Sequence, residues 1–381
     1  MKLLMLILLL SVGCSTESEE VTGSEVQVLN GEDISGARLT QNRKELFLNS
    51  IGSKGARQSQ VVLTQSYELA PPTIDGLTLQ ATSVSKRSER IMVTYNFQGE
   101  TYKGGLDYLV EDDEDLAIES QVLFQNADVN YAEYFSNNLY LVGATENQTS
   151  PSYVHEFEVQ GKGLRDTGVS TNLGSYAANS ADRSGNFLYV TTGDDVSLGG
   201  GLYKMDFDLN VLSYAALEDA RWIHHDNKKL FVAQGTPGRI SVFDEKSFNF
   251  VSTIAVDGAN EAQAKTTLDY ADGYIYFAAG TKGLKVFDED SGELVADISF
   301  DNEASVSNAV SVEDDLAFVS NGEAGIYVLE ISSQRGTIDI STIGWFNFGD
   351  GISANHIHYE RDRLFVASGL AGTRVIEIGR L

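Results

Sequence analysis

Carboxylate and imidazole side chains recur at one position of a unit that repeats every forty-odd residues through the last two-thirds of the sequence. Aligning the units places seven residues in this column: Ser85, Glu133, Asp182, His224, Asp269, Ser311 and His358. Asp182, His224 and Asp269 come from three successive units, and two carboxylates with an imidazole suit a divalent metal or acid–base chemistry. A hydrated polar channel lining would explain the same column without any catalysis.

A second column lies three residues earlier in each unit. It contains Thr82, Asn130, Asn179, Arg221, Thr266, Asn308 and Asn355. These side chains could form a ring of hydrogen-bonding groups for a ligand, with Arg221 clamping a carboxylate or sulfate. Alternatively, each Asn could cap its own turn.

Aromatic residues lie between the two columns at equivalent positions of three units, as Tyr131, Trp222 and His356. Their rings could stack on the faces of sugars, or their apolar bodies could pack between neighbouring units.

The repeating unit itself is a β-strand, a Gly-x-x-Gly turn and a second strand that ends in an acidic residue. The clearest copies are LFVAQGTPGRISVFD, IYFAAGTKGLKVFDE, AFVSNGEAGIYVLE and LFVASGLAGTRVIE, and looser copies give a count of seven. We expect the first glycine of each turn to adopt a positive φ, at Gly193, Gly235, Gly280, Gly322 and Gly369. A period of roughly 40–50 residues with several short strands is typical of a β-propeller.

Two further strands flank each copy, so that four strands, A to D from the centre outwards, form one blade. The last unit ends after its C strand, whereas the hydrophobic run 59–69 precedes the first A strand, at about 77–85, and has no partner. We predict that this run supplies the missing outer strand. The predicted fold is all-β, a seven-bladed β-propeller over 57–381 closed by an N-terminal outer strand, which removes exposed sheet edges.

The stretches GLKVFDED, GRISVFDE and GIYVLEIS resemble the LVIVD-repeat family of bacterial propeller proteins, in which a Gly-Leu-x-Val-hydrophobic-Asp core recurs. The resemblance covers the chain well from Thr266 onwards and the first three units poorly. It implies a propeller and, in many members, an extracytoplasmic location. The family has no common catalytic motif, so the resemblance assigns no catalytic residue.

The N-terminus predicts export. Met1-Lys2 precedes the apolar run 3–12, which is too short to span a bilayer as a helix, since that takes about 20 residues. We interpret 1–13 as a signal peptide. Cys14, the only cysteine, follows Ser-Val-Gly in a pattern that resembles a bacterial lipobox, although Ser11 stands where Leu is usual. Cys14 is therefore the predicted lipidation site and membrane anchor; the alternative is a secreted protein with a stray cysteine.

Residues 14–56 are predicted to form an acidic and polar tether. The run STESEE directly after Cys14 resembles the signal that sends lipoproteins of Bacteroidota to the outer face of the outer membrane. An ordinary disordered tether would have a similar composition. The apolar patches VQVLN and ELFLN could dock on the propeller. We expect an outer-membrane, lipid-anchored and surface-exposed protein.

The formal net charge of −28 argues against nucleic-acid binding, because phosphate contacts need clustered Lys and Arg. The sequence also contains no Gly-x-Ser-x-Gly elbow, His-Glu-x-x-His motif, Walker loop or dinucleotide fingerprint. Long B–C loops in the first three units (98–104, 146–152 and 194–201) would wall one side of the face on which propellers generally bind ligands.

We therefore predict a module that binds an envelope protein or an extracellular glycan, and we leave enzymatic activity open. The alternative is a metal-dependent hydrolase or lyase whose site lies in the channel. Asp182, His224 and Asp269 would then hold a divalent metal, the one cofactor that these residues suggest. A purely structural unit of a secretion or uptake complex is a third interpretation.

Overall fold

The computed structural model describes residues 25–34, 37–49, 61–99, 101–112, 115–195, 197–262, 264–300, 305–334 and 337–380. The predicted signal peptide and Cys14 lie outside these described residues. No described helix is long and apolar enough to cross a membrane.

Strands that precede the ring are β1 (Val26–Asn30), β2 (Leu39–Leu46), β3 (Val61–Leu69), β4 (Thr73–Ile74) and β5 (Leu77–Thr78). A 3-10 turn at Gly31–Asp33 follows β1, and β4 and β5 form a small hairpin.

Blades 1 to 4 follow in chain order. Blade 1 is β6 (Gln80–Arg87), β7 (Arg90–Asn96), β8 (Gly104–Asp112) and β9 (Asp115–Phe124); blade 2 is β10 (Ala127–Phe135), β11 (Asn138–Thr145), β12 (Ser152–Gln160) and β13 (Gly163–Asn172). Blade 3 is β14 (Ala177–Ser184), β15 (Phe187–Gly193), β16 (Gly201–Met205) and β17 (Val211–Ala216); blade 4 is β18 (Ala220–Asp226), β19 (Lys229–Gln234), β20 (Arg239–Asp244) and β21 (Phe250–Ala255).

Blades 5 to 7 complete the ring. Blade 5 is β22 (Leu268–Ala271), β23 (Tyr274–Ala278), β24 (Leu284–Asp288) and β25 (Leu294–Ile298); blade 6 is β26 (Ala309–Glu313), β27 (Leu316–Ser320), β28 (Ile326–Gln334) and β29 (Thr337–Phe346). Blade 7 takes β30 (His356–Glu360), β31 (Arg363–Ala367) and β32 (Thr373–Arg380) from the end of the chain and β3 from its beginning.

Each blade is an antiparallel sheet, and in blades 1 to 6 its four strands follow the chain from the centre outwards. The predicted seven-bladed β-propeller is therefore confirmed. Its core lies between successive blades, where apolar faces of neighbouring sheets meet; one cluster joins Phe231 and Val242 of blade 4 to Ile275 and Phe277 of blade 5. Burial of such surfaces is the main driving force for folding.

Ring closure by the N-terminal strand is also confirmed. β3 pairs antiparallel with β32, in a register that runs from Val61 opposite Arg380 to Leu69 opposite Thr373. The run predicted at 59–69 is thus the outer strand of blade 7.

Part of the stretch expected to be a tether is built into the ring. β1, which is the patch VQVLN, adds a fifth strand to β9 of blade 1, and β2 adds a fifth strand to β3 of blade 7. Arg38 forms an ion pair of 2.5 Å with the fully buried Asp107 of blade 1. Asn49 then forms an isolated bridge with Trp345 at the outer edge of blade 6.

The Gly-x-x-Gly turns hold successive blades together. Gly280, Gly322 and Gly369 have φ of +54° to +58°, as expected, and form isolated β-bridges with Ser307, Ala354 and Ala81 of the following blades. The second glycine is required for space: a Cβ on Gly283, Gly325 or Gly372 would lie 2.0–2.2 Å from a carbonyl oxygen.

Gly193 and Gly235 differ from the expectation, because neither has a positive φ. Their constraint is a close neighbour instead. A Cβ on Gly193 would lie 3.0 Å from the Asn179 carboxamide, and one on Gly235 would lie 2.2 Å from the Arg221 guanidinium.

Replacing Gly372 by Ala should destabilise the closed ring. Its φ is +76°, and the added Cβ would lie 2.0 Å from the carbonyl oxygen of Leu69 on the closing strand. We expect Gly372→Ala to lower the free energy of unfolding by about 2–4 kcal/mol in urea denaturation. Gly174→Ala is the control, since Gly174 has no positive φ and no neighbour within 4 Å of its Cβ position. Equal stabilities of the two variants would contradict this account of closure.

Candidate functional site

Three aromatic rings meet across the central channel. Trp222 of blade 4 contacts Tyr131 of blade 2 edge-on, with ring centroids 5.1 Å apart, and the His356 ring of blade 7 lies 4.9 Å from Trp222 on a tilted plane. His356 is buried, and its Nδ1 accepts a hydrogen bond from the Val84 backbone N–H, so burial holds the pKa of His356 well below its usual value. We call these three rings the septum. All three line a lower cavity, on the side of the A–B turns, and Trp222 also lines an upper cavity on the side of the B–C loops.

Side chains of the short polar column form hydrogen bonds between neighbouring blades. Asn130 and Asn179 donate to the carbonyl oxygens of Ala178 and Ala220 in the next blade, at 2.8 and 2.9 Å. Thr82 Oγ1 lies 3.2 Å from Thr94 O of its own blade and 3.5 Å from Val129 O of the next. The acceptors in the next blade occupy the same position that the glycine bridges reach in the later blades. The two asparagine side chains therefore connect A strands instead of capping their own turns.

Arg221 performs the same task between blades 4 and 5. Its Nε and Nη2 donate to Asp219, and Nη1 donates to Glu261 O, Ala264 O and Thr266 Oγ1 at 2.7–3.0 Å. The anion-clamping role suggested by the sequence would require these bonds to break, so we assign Arg221 to holding the loop.

The remaining members of this column differ from one another. Asn355 accepts a hydrogen bond from Ser353 Oγ at 2.6 Å, whereas Asn308 is buried and its Oδ1 has no partner among the described residues.

A lower cavity of about 550 Å³ lies beneath the septum. All seven residues of the carboxylate and imidazole column line it, together with residues of the A–B turns such as Ser88 and Arg361. The cavity therefore opens on the face of the A–B turns. Its roof includes Tyr131, Trp222 and His356.

The predicted metal site is not assembled. No group of three His, Cys, Asp or Glu residues that could hold a metal ion occurs in the part of the chain that the structure describes. Both carboxylate oxygens of Asp182 accept backbone N–H groups, from Arg183 and His225, and those of Asp269 accept from Tyr270 and Val312. The carboxylates thus accept backbone N–H groups of the neighbouring A strands. The His224 Nδ1 lies 3.5 Å from the nearest carboxylate oxygen of Asp269.

Glu133 is the most perturbed acid of the lower cavity. Burial raises its pKa to about 7, the negative charge of Asp182 adds to the rise, and Arg87, at 3.0 Å, opposes it. Burial also raises the pKa of Asp269. A carboxyl group that titrates near neutrality can exchange protons, and an ion-pair network perturbs pKa values in the same way.

Loops of blades 1 to 3 enclose a groove on the opposite face. Its volume is about 580 Å³, and it is lined by Thr101, Tyr102, Gln125, Thr145, Glu146, Asn147, Gln148, Pro151, Tyr176, Asp195, Ser197 and Leu198. Most of these residues belong to the three B–C loops that are long in the sequence. Blades 5 to 7 have short Gly-x-x-Gly turns in their place.

Sequence reasoning missed Lys265. It lines the upper cavity, of about 300 Å³, beside Asn130, Asn179 and Trp222, and burial lowers its pKa to about 8. The sequence does contain one signal for Lys265, the residue types at the position directly before the short polar column. That position holds Ala81, Val129, Ala178, Ala220, Lys265, Ser307 and Ala354, so a lysine stands out.

Comparisons with known proteins show the fold. No family model matches the chain, and no curated protein matches it. Among solved structures, RRP9 WD40 repeats are similar with a TM-score of 0.57 at 9% identity, over 82% of this chain and 99% of that one. The computationally designed Ika8 protein has a TM-score of 0.50 at 9% identity, over 89% of this chain and all of that one. These likenesses show the fold of the chain, a β-propeller.

Replacing Glu133 by Gln should change the pH dependence of stability. Because the pKa is raised in the folded state, the native protein binds more protons than the unfolded one, and stability falls as pH rises from about 5 through 7. Glu133→Gln removes that loss. We expect the variant to gain about 1–3 kcal/mol over the parent between pH 5 and pH 8, measured by urea unfolding at each pH.

The matched control is Glu158→Gln, at an exposed carboxylate whose pKa Arg165 lowers. Its difference from the parent should stay constant over this pH range. An equally constant difference for Glu133→Gln would show that Glu133 does not titrate near neutrality.

Proposed function

We propose that this protein is an exported, lipid-anchored propeller of the bacterial outer-membrane surface and that it binds an extracellular glycan in the groove of blades 1 to 3. One observation carries the proposal: three long B–C loops on adjacent blades enclose a groove of about 580 Å³ on an otherwise regular ring. Long loops on a rigid scaffold are where binding residues concentrate.

The chemistry of the groove favours a sugar. Tyr102 and Tyr176 offer ring faces, and 43% of Tyr176 is exposed. Asn147, Gln148 and Glu146 supply amide and carboxylate groups for hydroxyls. Flat aromatic surfaces beside such polar groups suit the alternating apolar and hydroxyl-bearing faces of a pyranose ring. The net charge of −28 favours a neutral glycan over an anionic one.

The loops are held in defined conformations by their own side chains. Asn147 Oδ1 accepts the backbone N–H groups of Thr149 and Ser150, and Asp195 Oδ1 accepts those of Ser197 and Leu198. These backbone hydrogen bonds lower the pKa of Asp195 and keep it ionised. A preorganised loop loses less conformational entropy on binding.

The cellular location rests on the sequence. The basic start, the apolar run and Cys14 support export and lipidation, and the acidic run after Cys14 supports transfer to the outer face of the outer membrane. The resemblance to the LVIVD-repeat family supports the same location.

Removing the exposed ring should weaken glycan binding. We expect Tyr176→Ala to reduce the retardation of the protein in gels that contain a neutral polysaccharide, with a dissociation constant about tenfold larger. The measurement is affinity electrophoresis against a panel of neutral and anionic polysaccharides.

Leu370→Ala is the control, because Leu370 is 59% exposed in the B–C turn of blade 7, away from the groove. It should leave the retardation unchanged. If no neutral polysaccharide retards the parent protein, the glycan assignment is wrong.

Cys14→Ala should release the protein from the membrane. Without the thiol no lipid can be attached, so the mature protein loses its membrane anchor. We expect loss of labelling by a radioactive fatty acid and a shift from the membrane to the soluble fraction. Protease treatment of intact cells tests surface exposure of the parent protein, and resistance to it would place the anchor on an inner leaflet.

A further inference from the structure

A β-bulge recurs between the C and D strands of every blade. In each pairing the register shifts, so that one D-strand residue, or a short run in blade 2, has no partner on the C strand. We call these the bulge residues: Glu119, residues 167–169, Leu212, Val251, Val295, Ile343 and Ser66, for blades 1 to 7 in order. The same backbone irregularity thus recurs in the outer strand of each blade.

The N-terminal segment shelters the bulge residues of three blades. Ser66 is fully buried where β2 pairs with β3, and Glu119 precedes Ser120, the last residue opposite β1. In blade 6, Leu48 and Ile343 are both partly buried against the same apolar cluster. An added strand or segment therefore covers the bulge wherever it is present.

Blades 3, 4 and 5 present the same position uncovered. No strand pairs with the outer edge of β17, β21 or β25 in the described part of the chain. In each blade the bulge residue and the residue before it are apolar, and each is 41% to 57% exposed: Val211 and Leu212, Phe250 and Val251, and Leu294 and Val295. Six large apolar side chains lie at equivalent places on three adjacent blades, and we call them together the apolar rim.

Acidic turns border the apolar rim. The C–D turns before the three strands carry Asp206 and Asp208, Asp244 and Glu245, and Asp288, Glu289 and Asp290. Asp206, Asp244 and Asp288 each accept hydrogen bonds from their own turn, from Asn210, Ser247 and Ser291, which lower their pKa values and keep them ionised. A complementary surface would be both apolar and basic.

We propose that the apolar rim of blades 3 to 5 docks extended, apolar and basic segments of a partner protein, each of which adds a fifth strand to one open blade edge. Unpaired N–H and C=O groups of an edge strand are a template for such addition. The molecule already uses this arrangement twice, with β1 on blade 1 and β2 on blade 7. The surface is separate from the groove of blades 1 to 3, so the two proposals stand or fail independently.

The chain itself indicates the chemistry of the occupant. The segment that covers blade 7 carries Arg38, Arg43 and Lys44 between apolar residues, and Arg43 pairs with Glu377 of β32 at 2.8 Å. A second copy of this chain is disfavoured, because two molecules that each carry a charge of −28 repel one another.

The test uses a synthetic peptide of residues 37–49, ARLTQNRKELFLN, with a fluorophore at one end and a photoreactive phenylalanine at the position of Phe47. The full protein supplies the binding surface. We expect saturable binding by fluorescence anisotropy and crosslinks to β17, β21 or β25 in mass spectrometry. Crosslinks confined to blade 7, by exchange with β2, or to the upper face would overturn the proposal.

Variants locate the surface. The triple change Leu212→Glu, Val251→Glu and Val295→Glu should raise the dissociation constant at least tenfold, and the milder triple change to Ser should act in the same direction. Leu370→Glu is the control and should leave binding unchanged. Unchanged binding by folded Glu and Ser triple variants would overturn the proposal. Sedimentation of the parent as a dimer that the triple variants abolish would assign the rim to a second copy and also overturn it.

Discussion

Blade-to-blade hydrogen bonding at the upper end of the A strands is the constraint on which the whole molecule depends. The backbone of each blade must be tied to the next at one position, because seven sheets that touch only through apolar side chains could slide past one another. Blades 5 to 7 use the bridge of a positive-φ glycine, as at Gly280 and Ser307. Blades 1 to 3 have longer loops there, and in blades 2 and 3 an asparagine side chain makes the connection. Arg221 does so between blades 4 and 5.

The two kinds of inter-blade connection explain why the B–C loops differ in length between blades. Once Asn130 and Asn179 replace the glycine bridge, the B–C loops of blades 2 and 3 no longer carry the inter-blade contact and are free to lengthen. The groove with Tyr102 and Tyr176 occupies that freed space. The carboxylates of the lower cavity follow the same logic at the other end of the A strands, where Asp182 and Asp269 bind N–H groups of the next blade.

Much of the fold could be predicted because its signals are local. The Gly-x-x-Gly turn and the alternating strands repeat in the sequence, and the missing outer strand of blade 7 follows from counting. The roles of the polar columns could not be predicted, because they depend on where a side chain points. Thr82, Asn130, Asn179 and Arg221 lie in bulges of the A strands, where the alternation of faces is interrupted. Pairing of β1 and β2 with blades 1 and 7 likewise needs long-range contacts that composition does not encode.

Closure by β3 and β32 also makes folding of the ring depend on two strands that lie far apart in the sequence. The two strands that meet lie about three hundred residues apart, so the seam cannot form until the last residues are available. Any shortened product keeps β3 as an open, apolar edge that pairs with other chains or is cut by proteases. The pairing of β3 with β32 therefore distinguishes molecules that contain both strands from fragments that lack one of them.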